Sequence, residues 1–348
     1  MSRAPRGVAR ARRRGRGLPA RPGARHGALL LLIFLAAAAL WVGWTYAGPG
    51  PAAKSGKATT VYLERGSGLA RISSELDKAD VVRSALLFTL AATATGASGD
   101  LKAGEYEFPS GASMRNVLGA IRTGKTVRHG VTIPEGFTSE MAVEVLMRET
   151  ALTGVVKVPP EGAILPATYD FQRGEARAAV LKRMVDGQTK LLAELWAKRQ
   201  PGLPLKTPQE AVTLASIVEK ETAVPAERPR IAAVFVNRLR KGMRLESDPT
   251  IIYGVTRGRA LGRPILASEV RGETAWNTYV IAGLPKTPIA NPGRESLAAV
   301  LNPPKSKELF FVADGTGGHV FAETFEQHQA NVVKWRKIKA QQMAAGVR

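Results

Sequence analysis

The stretch that decides the fold is Ala211-Val212-Thr213-Leu214-Ala215-Ser216-Ile217-Val218-Glu219-Lys220-Glu221-Thr222. At about 100° per residue its apolar side chains form one arc of a helix, which predicts a helix packed into a core. Glu221 falls in the middle of that arc, whereas Glu219 falls outside it. The second half of the chain is therefore expected to fold around a helix that carries a carboxylate on its buried side.

A carboxylate in this position has two interpretations. Burying an ionised carboxylate without a partner is costly, so the group either keeps its proton near neutral pH or forms an ion pair. A glutamate that keeps its proton is suited to general acid catalysis. The next predicted helix offers four partners for an ion pair, which are Arg228, Arg230, Arg238 and Arg240. Periodicity alone leaves both interpretations open.

The composition excludes several kinds of site. The 348 residues include no cysteine, so a disulfide, a thiol nucleophile and a cysteine zinc site are impossible. There are only four histidines, and they are widely separated in the sequence, which argues against a histidine metal site or a Ser/His triad. They are His26, His129, His319 and His328. The sequence therefore predicts no metal and no other cofactor.

Residues 27–47 form an apolar run of 21 positions without a charge, which is long enough to span a bilayer as a helix. Nine arginines and no acid precede it, at positions 3, 6, 10, 12, 13, 14, 16, 21 and 25. The positive-inside rule places the N-terminus in the cytoplasm and the rest of the chain outside. A cleaved signal peptide is the alternative, but the run is longer than the usual signal core, so an uncleaved anchor is predicted.

The net charge of the chain indicates which kinds of partner it could bind. The formal net charge is +21, and basic residues remain in excess after the N-terminal arginines are set aside. This excess favours an anionic partner such as a membrane surface, a cell-wall polymer or nucleic acid. The basic residues are not interleaved with aromatic residues as in single-strand binders, so no nucleic-acid partner is predicted.

A pattern of strand, glycine turn and helix recurs in residues 59–150. The clearest copies run from residue 61 to 76 and from 131 to 146, and a looser copy runs from 104 to 118. Thr138 and Ser113 are predicted N-caps. Units of this kind resemble LysM-type glycan-binding modules, although a structural spacer is an equal alternative.

The remaining residues, 151–348, are predicted to be mainly helical, with helices over 177–198, 208–222 and 227–241 and a β-hairpin from 309–313 to 319–322. Polar and aromatic residues lie between them on loops stiffened by glycine and proline. Such loops suit a groove that binds sugars. The candidate substrate-binding residues are Asn237, Ser247, Asp248, Tyr253, Asn277 and Tyr279.

Six motifs, in this order, resemble the MltG-type (YceG-like) endolytic murein transglycosylases. They are Ser216-Ile217-Val218-Glu219-Lys220-Glu221-Thr222, Asn237-Arg238-Leu239, Ser247-Asp248-Pro249-Thr250, Asn277-Thr278-Tyr279, Gly283-Leu284-Pro285 and Phe311-Val312-Ala313-Asp314-Gly315. The likeness runs from about residue 27 to 337 and includes the anchor and the LysM-like module. One departure is Ala167, which stands where the family often has an acid.

The resemblance implies a function and a catalytic residue. The family cleaves the β-1,4 bond between N-acetylmuramic acid and N-acetylglucosamine in nascent glycan strands and leaves a 1,6-anhydro end. Its catalytic glutamate lies in the Glu-Lys-Glu-Thr segment, at Glu221 by comparison with the Glu-Ser pair of other lytic transglycosylases, with Glu219 as the alternative. One glutamate then serves as acid and as base. The rival functions are a hydrolase using Glu221, Asp248 and water, and a non-enzymatic glycan-binding scaffold.

The expected architecture is α+β, with one membrane-spanning helix, a small LysM-like module and a larger mainly helical catalytic domain that includes the β-hairpin. The partners are peptidoglycan glycan strands and, as candidates, peptidoglycan synthases. The expected location is the bacterial inner membrane, with the catalytic domain outside the cytoplasm. The predicted segments are a tail 1–26, a spanning helix 27–47, a linker 48–58, the module 59–150 and the catalytic domain 151–348.

Overall fold

The computed structural model of the chain describes residues 22–54 and 56–344, with side chains from residue 26 onward. The arginine-rich tail therefore lies, up to residue 21, outside the described residues. The first element is helix α1, Pro22–Ala47. Within it, His26–Ala47 is long and apolar enough to cross a membrane, by length and composition only, and its apolar side chains are exposed.

The chain divides into two compact units, one ending at Thr126 and the other beginning at Val127. After α1, the first unit contains one pair of strands and three helices. Strand β1 pairs antiparallel with β2, and the helices pack with this sheet around Leu76, Phe88 and Tyr106. The elements are β1 Ala58–Leu63, α2 Leu69–Lys78, α3 Ala85–Ala94, β2 Gly104–Pro109 and α4 Met114–Thr123.

The second unit begins with a strand and a helix that the sequence assigned to the small module. Strand β3, His129–Thr132, pairs antiparallel with β4, Thr168–Phe171, and helix α5, Ser139–Arg148, lies between them in the chain. The structure thus divides the chain after Thr126, whereas the sequence-based boundary lies at residue 150. The reason is the β3–β4 pairing, which joins residues about 40 positions apart and leaves no local signal.

The three copies of the strand, turn and helix pattern have the predicted local structure. Their turns contain Gly66, Gly111 and Gly136, each with positive φ. The side chain of Ser113 caps α4 and that of Thr138 caps α5, as predicted. The copies do not stack as a single repeat, because β1 and β2 pair with each other while β3 pairs with β4.

The rest of the second unit is mainly helical, as predicted, and both ends of the three predicted helices agree with the structure to within one residue. Proline lies in the first turn of both α7 and α8, where a missing N–H costs nothing. The helices are α6 Arg177–Ala197, α7 Pro208–Glu221, α8 Arg228–Arg240, α9 Asp248–Thr256, α10 Ala267–Arg271, α11 Arg294–Leu301 and α12 Phe325–Ala344. A 3-10 turn, Pro225–Glu227, joins α7 to α8.

The predicted hairpin is present as β5, Phe310–Ala313, and β6, His319–Ala322. The side chain of Thr324 accepts a hydrogen bond from the Gln327 N–H, and the Gln327 side chain accepts one from the Thr324 N–H, so a capping box opens α12. The sequence treated residues 242–254 as loop, but part of this stretch is α9. Its Ser-Asp-Pro-Thr start is a helix N-terminus signature that the expectation of a loop overlooked.

Helix α7 is the centre of the second unit. Its side chains pack against α6, α8, α9 and α11, and the whole run from Ala211 to Glu219 is buried. The apolar core around it includes Leu214, Ile217 and Phe235. Because α7 is enclosed in this way, it fixes the backbone position of the residues in its last turn.

Candidate active site

The start of α7 explains why the helix forms where it does. The Thr207 side chain accepts a hydrogen bond from the Glu210 N–H at 3.2 Å, and Pro208 occupies the first helical position. Small and branched apolar residues then fill the interior. The helix ends at Glu221, since Thr222 has an extended backbone and a proline follows at 225. Both glutamates of the Glu-Lys-Glu segment therefore lie in the last turn.

Glu221 is half-buried and forms no ion pair among the described residues. The hydroxyl of Ser247 donates to its Oε2 at 2.7 Å. Burial raises the pKa of Glu221 to about 7, and the negative charge of Asp248 acts in the same direction. The hydrogen bond from Ser247 and the positive charges of His319 and Arg238 lower that pKa and limit the rise. Near neutral pH the protonated and ionised forms of Glu221 are therefore similarly populated.

Glu219 has a different environment. Its side chain is 4% exposed, and Oε1 accepts a hydrogen bond from Arg228 at 3.1 Å. Its other oxygen accepts from the Gly293 N–H at 2.9 Å and the Ser296 hydroxyl at 2.7 Å. Both oxygens of the Glu219 carboxylate thus accept hydrogen bonds from the protein. Groups held in this way stabilise a fold and are poorly placed to exchange protons with a substrate.

These two environments correct the helical-wheel analysis. Glu219 was expected outside the buried arc, yet it is the more deeply buried of the two carboxylates. The arginine pairing considered for Glu221 is instead made by Glu219 with Arg228. The cause is the enclosure of α7 on all sides, which makes the apolar arc a poor guide to burial.

Ser247, Asp248 and Tyr279 lie together beside Glu221. The Tyr279 hydroxyl donates to Asp248 Oδ1 at 2.8 Å, and the Ser247 N–H donates to the Thr278 hydroxyl at 3.0 Å. The turn that carries Tyr279 is therefore fastened to the start of α9. Burial and the Asp248 carboxylate raise the pKa of Tyr279, so its hydroxyl keeps its proton and remains a donor.

Three of the predicted substrate-binding residues have hydrogen-bond partners within the protein. The Asn237 amide donates to the carbonyls of Ser306 and Glu308 at 2.8 and 3.1 Å, which fixes the approach to β5. Asn277 is fully buried, and its amide donates to three carbonyls of the segment 269–272. Tyr253 donates to Glu161 at 3.0 Å. All three satisfy buried polar groups, which sequence alone cannot distinguish from ligand contacts.

The structure also brings residues to the site that the sequence analysis missed. His319 lies on β6, and Glu227 accepts hydrogen bonds from its backbone N–H and pairs with its Nδ1, both at 2.7 Å. Thr222, which the resemblance paired with Glu221, donates instead to Glu227 at 3.3 Å. The serine partner of Glu221 is Ser247. The sequence feature that could have pointed to His319 is its position directly after the glycine-rich turn of the hairpin.

Arg238 was named in the sequence analysis as a candidate ion-pair partner of Glu221, but its partner in the structure is Glu246. The arginine is buried, donates to the Leu309 carbonyl at 2.7 Å and pairs with Glu246 at 2.9 Å. It thereby ties α8 to the residue before β5 and to the segment before α9. Its charge also lowers the pKa of Glu221 without a direct contact.

The arrangement can carry out acid and base chemistry at a single carboxyl group. Glu221 is accessible, has a pKa near neutrality and has one oxygen occupied by Ser247. Within residues 22–54 and 56–344, no three histidine, aspartate or glutamate side chains come together in a way that could hold a metal ion. The neighbours of Glu221 supply a hydroxyl donor and charges of both signs.

Comparison with known proteins gives consistent matches. The endolytic murein transglycosylase of Bacillus subtilis (strain 168) is 28% identical over 322 residues, which cover 83% of this chain and 88% of that protein. The protein of the same name from Streptococcus pneumoniae (strain D39) is 30% identical over 332 residues, or 81% of this chain and 59% of that protein. The chain thus spans somewhat more than half the length of the streptococcal relative.

A solved structure and a family model extend the comparison. A yceG-like protein of Listeria monocytogenes, known from a crystal structure, is 28% identical, and the match covers 79% of this chain and 99% of that one with a TM-score of 0.48. The model of the YceG-like family matches residues 61–334, which is well over half of the chain and includes Glu221 and every residue placed around it. The chain therefore belongs to the YceG-like family.

Proposed function

We propose that the protein is a lytic transglycosylase that cuts within the glycan strands of peptidoglycan. Its relatives from B. subtilis and S. pneumoniae are named endolytic murein transglycosylases. The observation that carries the proposal is Glu221, a half-buried carboxyl with a pKa of about 7 and a hydroxyl donor on one oxygen. Such a group can release a proton and accept one again near neutral pH.

The reaction needs one residue in two roles. Protonated Glu221 donates its proton to the glycosidic oxygen as the bond from that oxygen to C1 of N-acetylmuramic acid breaks. The carboxylate then accepts the proton of the 6-hydroxyl of the same sugar, whose oxygen forms the new bond to C1. The products are N-acetylglucosamine with a free hydroxyl and a 1,6-anhydro end. Water is not consumed, and Glu221 finishes protonated.

The neighbours of Glu221 support this assignment. Because Ser247 donates to Oε2, the other carboxyl oxygen is the one left for the substrate. Asp248 adds a negative charge at a site where the sugar ring develops positive charge in the transition state. Tyr279 holds that carboxylate in place at 2.8 Å. Ser247, Asp248 and Tyr279 are thus the substrate-side residues that we retain.

A hydrolase is the second candidate, and Asp248 is the observation that favours it. Glycosidases that use water have a second carboxylate to activate it. Asp248 lies close enough to Glu221 for its charge to raise the pKa of Glu221. The Tyr279 hydroxyl occupies one oxygen of Asp248, as the Ser247 hydroxyl occupies one oxygen of Glu221, so the digestion products decide between the two functions.

The products of digestion separate the two functions. Purified glycan strands incubated with the enzyme should give fragments with 1,6-anhydro ends, each lighter by one water than a reducing end, as read by mass spectrometry. Long internal fragments early in the digest would support endolytic cleavage. Reducing ends would assign the protein as a hydrolase, and unchanged strands would favour the glycan-binding scaffold.

We also propose that α1 anchors the protein in the bacterial inner membrane as a single pass. The support is the 22-residue apolar stretch His26–Ala47 and the arginines that precede it in the sequence. The second unit, with Glu221, is then outside the cytoplasm, where the glycan strands are. The strand, turn and helix at residues 58–78 support a LysM-like role for the first unit in holding those strands.

Labelling of single cysteines tests this topology. The chain has no cysteine, so Ala11→Cys and Ala58→Cys each introduce one thiol. A membrane-impermeant thiol reagent added to intact cells, with the outer membrane permeabilised where one exists, should label position 58 and leave position 11 unlabelled. Position 11 should react only after lysis. Labelling of position 11 in intact cells would reverse the orientation, and loss of the N-terminal segment from the mature protein would indicate a cleaved signal.

A further inference from the structure

The end of α1 is built into the first unit. The Tyr46 side chain packs against the core of that unit, and Thr45 beside it is buried. Trp41 and Trp44 of the same turns are 57% and 52% exposed. Tryptophan at the end of a membrane-spanning helix lies at the level of the lipid headgroups. The last turns of α1 therefore place the first unit directly at headgroup depth.

The segment after α1, which the sequence predicts to be a linker, is hydrogen-bonded to the same unit. The Gly50 N–H donates to the Gly111 carbonyl at 3.1 Å, and the Gly111 N–H donates to the Pro51 carbonyl at 3.0 Å. The Ala53 N–H donates to the Ser110 hydroxyl at 3.0 Å. These bonds hold the segment against the turn that follows β2. The first unit is therefore fixed at the end of α1.

Arg83 joins the end of α1 to the start of α3. Its guanidinium lies over the Trp44 ring, 5.0 Å from the centroid, and donates to the Pro49 carbonyl at 3.1 Å. Within residues 22–54 and 56–344 the arginine pairs with no carboxylate. Arginine binds phosphate through paired N–H groups. The other N–H groups of Arg83 can therefore donate to a lipid phosphate at the depth of Trp44.

Helix α3 has an exposed apolar side, which we call the leucine face and which carries Leu86 and Leu90. The two leucines lie one turn apart on the same side of the helix and are 67% and 56% exposed. The helix contains no charged residue, and its opposite side packs into the core. Thr93, also on the leucine face, donates its hydroxyl to the Thr89 carbonyl of the same helix at 2.9 Å. The face that begins three residues after Arg83 is therefore apolar and uncharged.

We propose that the first unit rests on the outer leaflet of the membrane that holds α1, with Arg83 at the lipid phosphates and the leucine face in the interface between headgroups and acyl chains. The inference rests on the proposed anchoring by α1. Lipid is the partner because the leucine face starts beside the end of the spanning helix and has a cation at its edge. Contact with lipid also removes the exposed leucines from water, which is favourable. Attachment through both α1 and α3 fixes the orientation of the first unit on the bilayer.

The test uses the full-length protein in vesicles of zwitterionic and anionic phospholipid, labelled at single cysteines with a small apolar fluorophore. The chain has no cysteine of its own, so each substitution introduces one thiol. Leu86→Cys probes the leucine face, and Leu35→Cys probes the middle of the spanning stretch. Arg65→Cys is the matched control in the same unit, because Arg65 is exposed and follows β1, whose six residues lead roughly 20 Å away from the strand end next to the bonded segment. The quenchers are a phospholipid with a nitroxide on its acyl chain, and iodide in the water on both sides of the vesicle.

The proposal expects a loss of emission with the nitroxide lipid at positions 35 and 86, and with iodide alone at position 65. If the probe at position 35 is quenched by lipid while that at position 86 is quenched only by iodide, the leucine face is in water and the proposal is wrong. A probe at position 86 that neither quencher reaches would show that a protein surface, such as a second copy of the chain, covers the face, and would also overturn it. A probe at position 35 without lipid quenching would reject the anchor itself, so the two failures give different results.

Discussion

Replacing Glu221 by glutamine should reduce glycan cleavage by roughly 10²–10⁴-fold, the range attributed to general acid and base catalysis. Glutamine has nearly the same size and can still accept the hydrogen bond that Ser247 donates, but it cannot supply a proton. Initial rates on purified glycan strands measure the effect. Glu210→Gln is the matched control, since Glu210 lies in the first turn of the same helix and should leave the rate unchanged.

The stability of the same variant provides a check on the assignment. The folded-state pKa of Glu221 is about 7 and its ordinary value is 4.5, so between these values the folded state holds a proton that the unfolded state has released. Stability therefore falls as the pH rises from 4.5 to 7 and stays lower above 7. Glu221→Gln should be at least as stable as the native protein at pH 8 and equally stable at pH 4. An inactive variant that is also unfolded would say nothing about catalysis, whereas a folded and fully active variant would remove Glu221 from the mechanism.

Replacing Glu219 by glutamine should instead destabilise the fold, by roughly 3–5 kcal/mol, the range for removing one partner of a buried ion pair. Arg228 is 12% exposed, and among the described residues it would keep only Glu135 as a carboxylate partner. The amide would also meet the Gly293 N–H and the Ser296 hydroxyl with a weaker acceptor. Urea unfolding at pH 7, with the free energy extrapolated to water, measures the loss.

Glu135→Gln is the matched control for that experiment. Glu135 contacts the same arginine at 3.1 Å but is 41% exposed, so its removal should cost less than about 1 kcal/mol. A Glu219→Gln protein as stable as the native one, but unable to cleave glycan, would transfer the catalytic role to Glu219. The cleavage rate thus tests the role of Glu221, and the free energy of unfolding tests the role of Glu219.

Much of the fold could be predicted from local sequence. The helix caps at Ser113 and Thr138, the proline-bounded start of α8 and the hairpin all follow from neighbouring residues, and all were found. The unit boundary could not be predicted, because it depends on the pairing of β3 with β4 across a long stretch of chain. Pairings of this kind are decided by the whole fold.

The candidate site was predictable only in part, for a related reason. Helical periodicity selected the Glu-Lys-Glu segment, but it could not rank the two carboxylates once α7 proved to be enclosed on every side. Asn237 and Asn277 are of a residue type that is common in sugar-binding grooves. In the structure, however, their amides donate to backbone carbonyls of the protein. His319 is about a hundred residues from Glu221 in sequence, and no spacing rule connects them.

The enclosure of α7 also has a consequence for the timescales of the site. Backbone amides of a fully packed central helix exchange with solvent only when most of the unit opens, whereas turns at the surface open far more often. Glu221 is attached to the slow part, whereas Tyr279 and His319 are half-buried residues of a turn and of the hairpin. We therefore expect the partly exposed residues around Glu221 to open to a long polymer more readily than the helix that holds the carboxyl group.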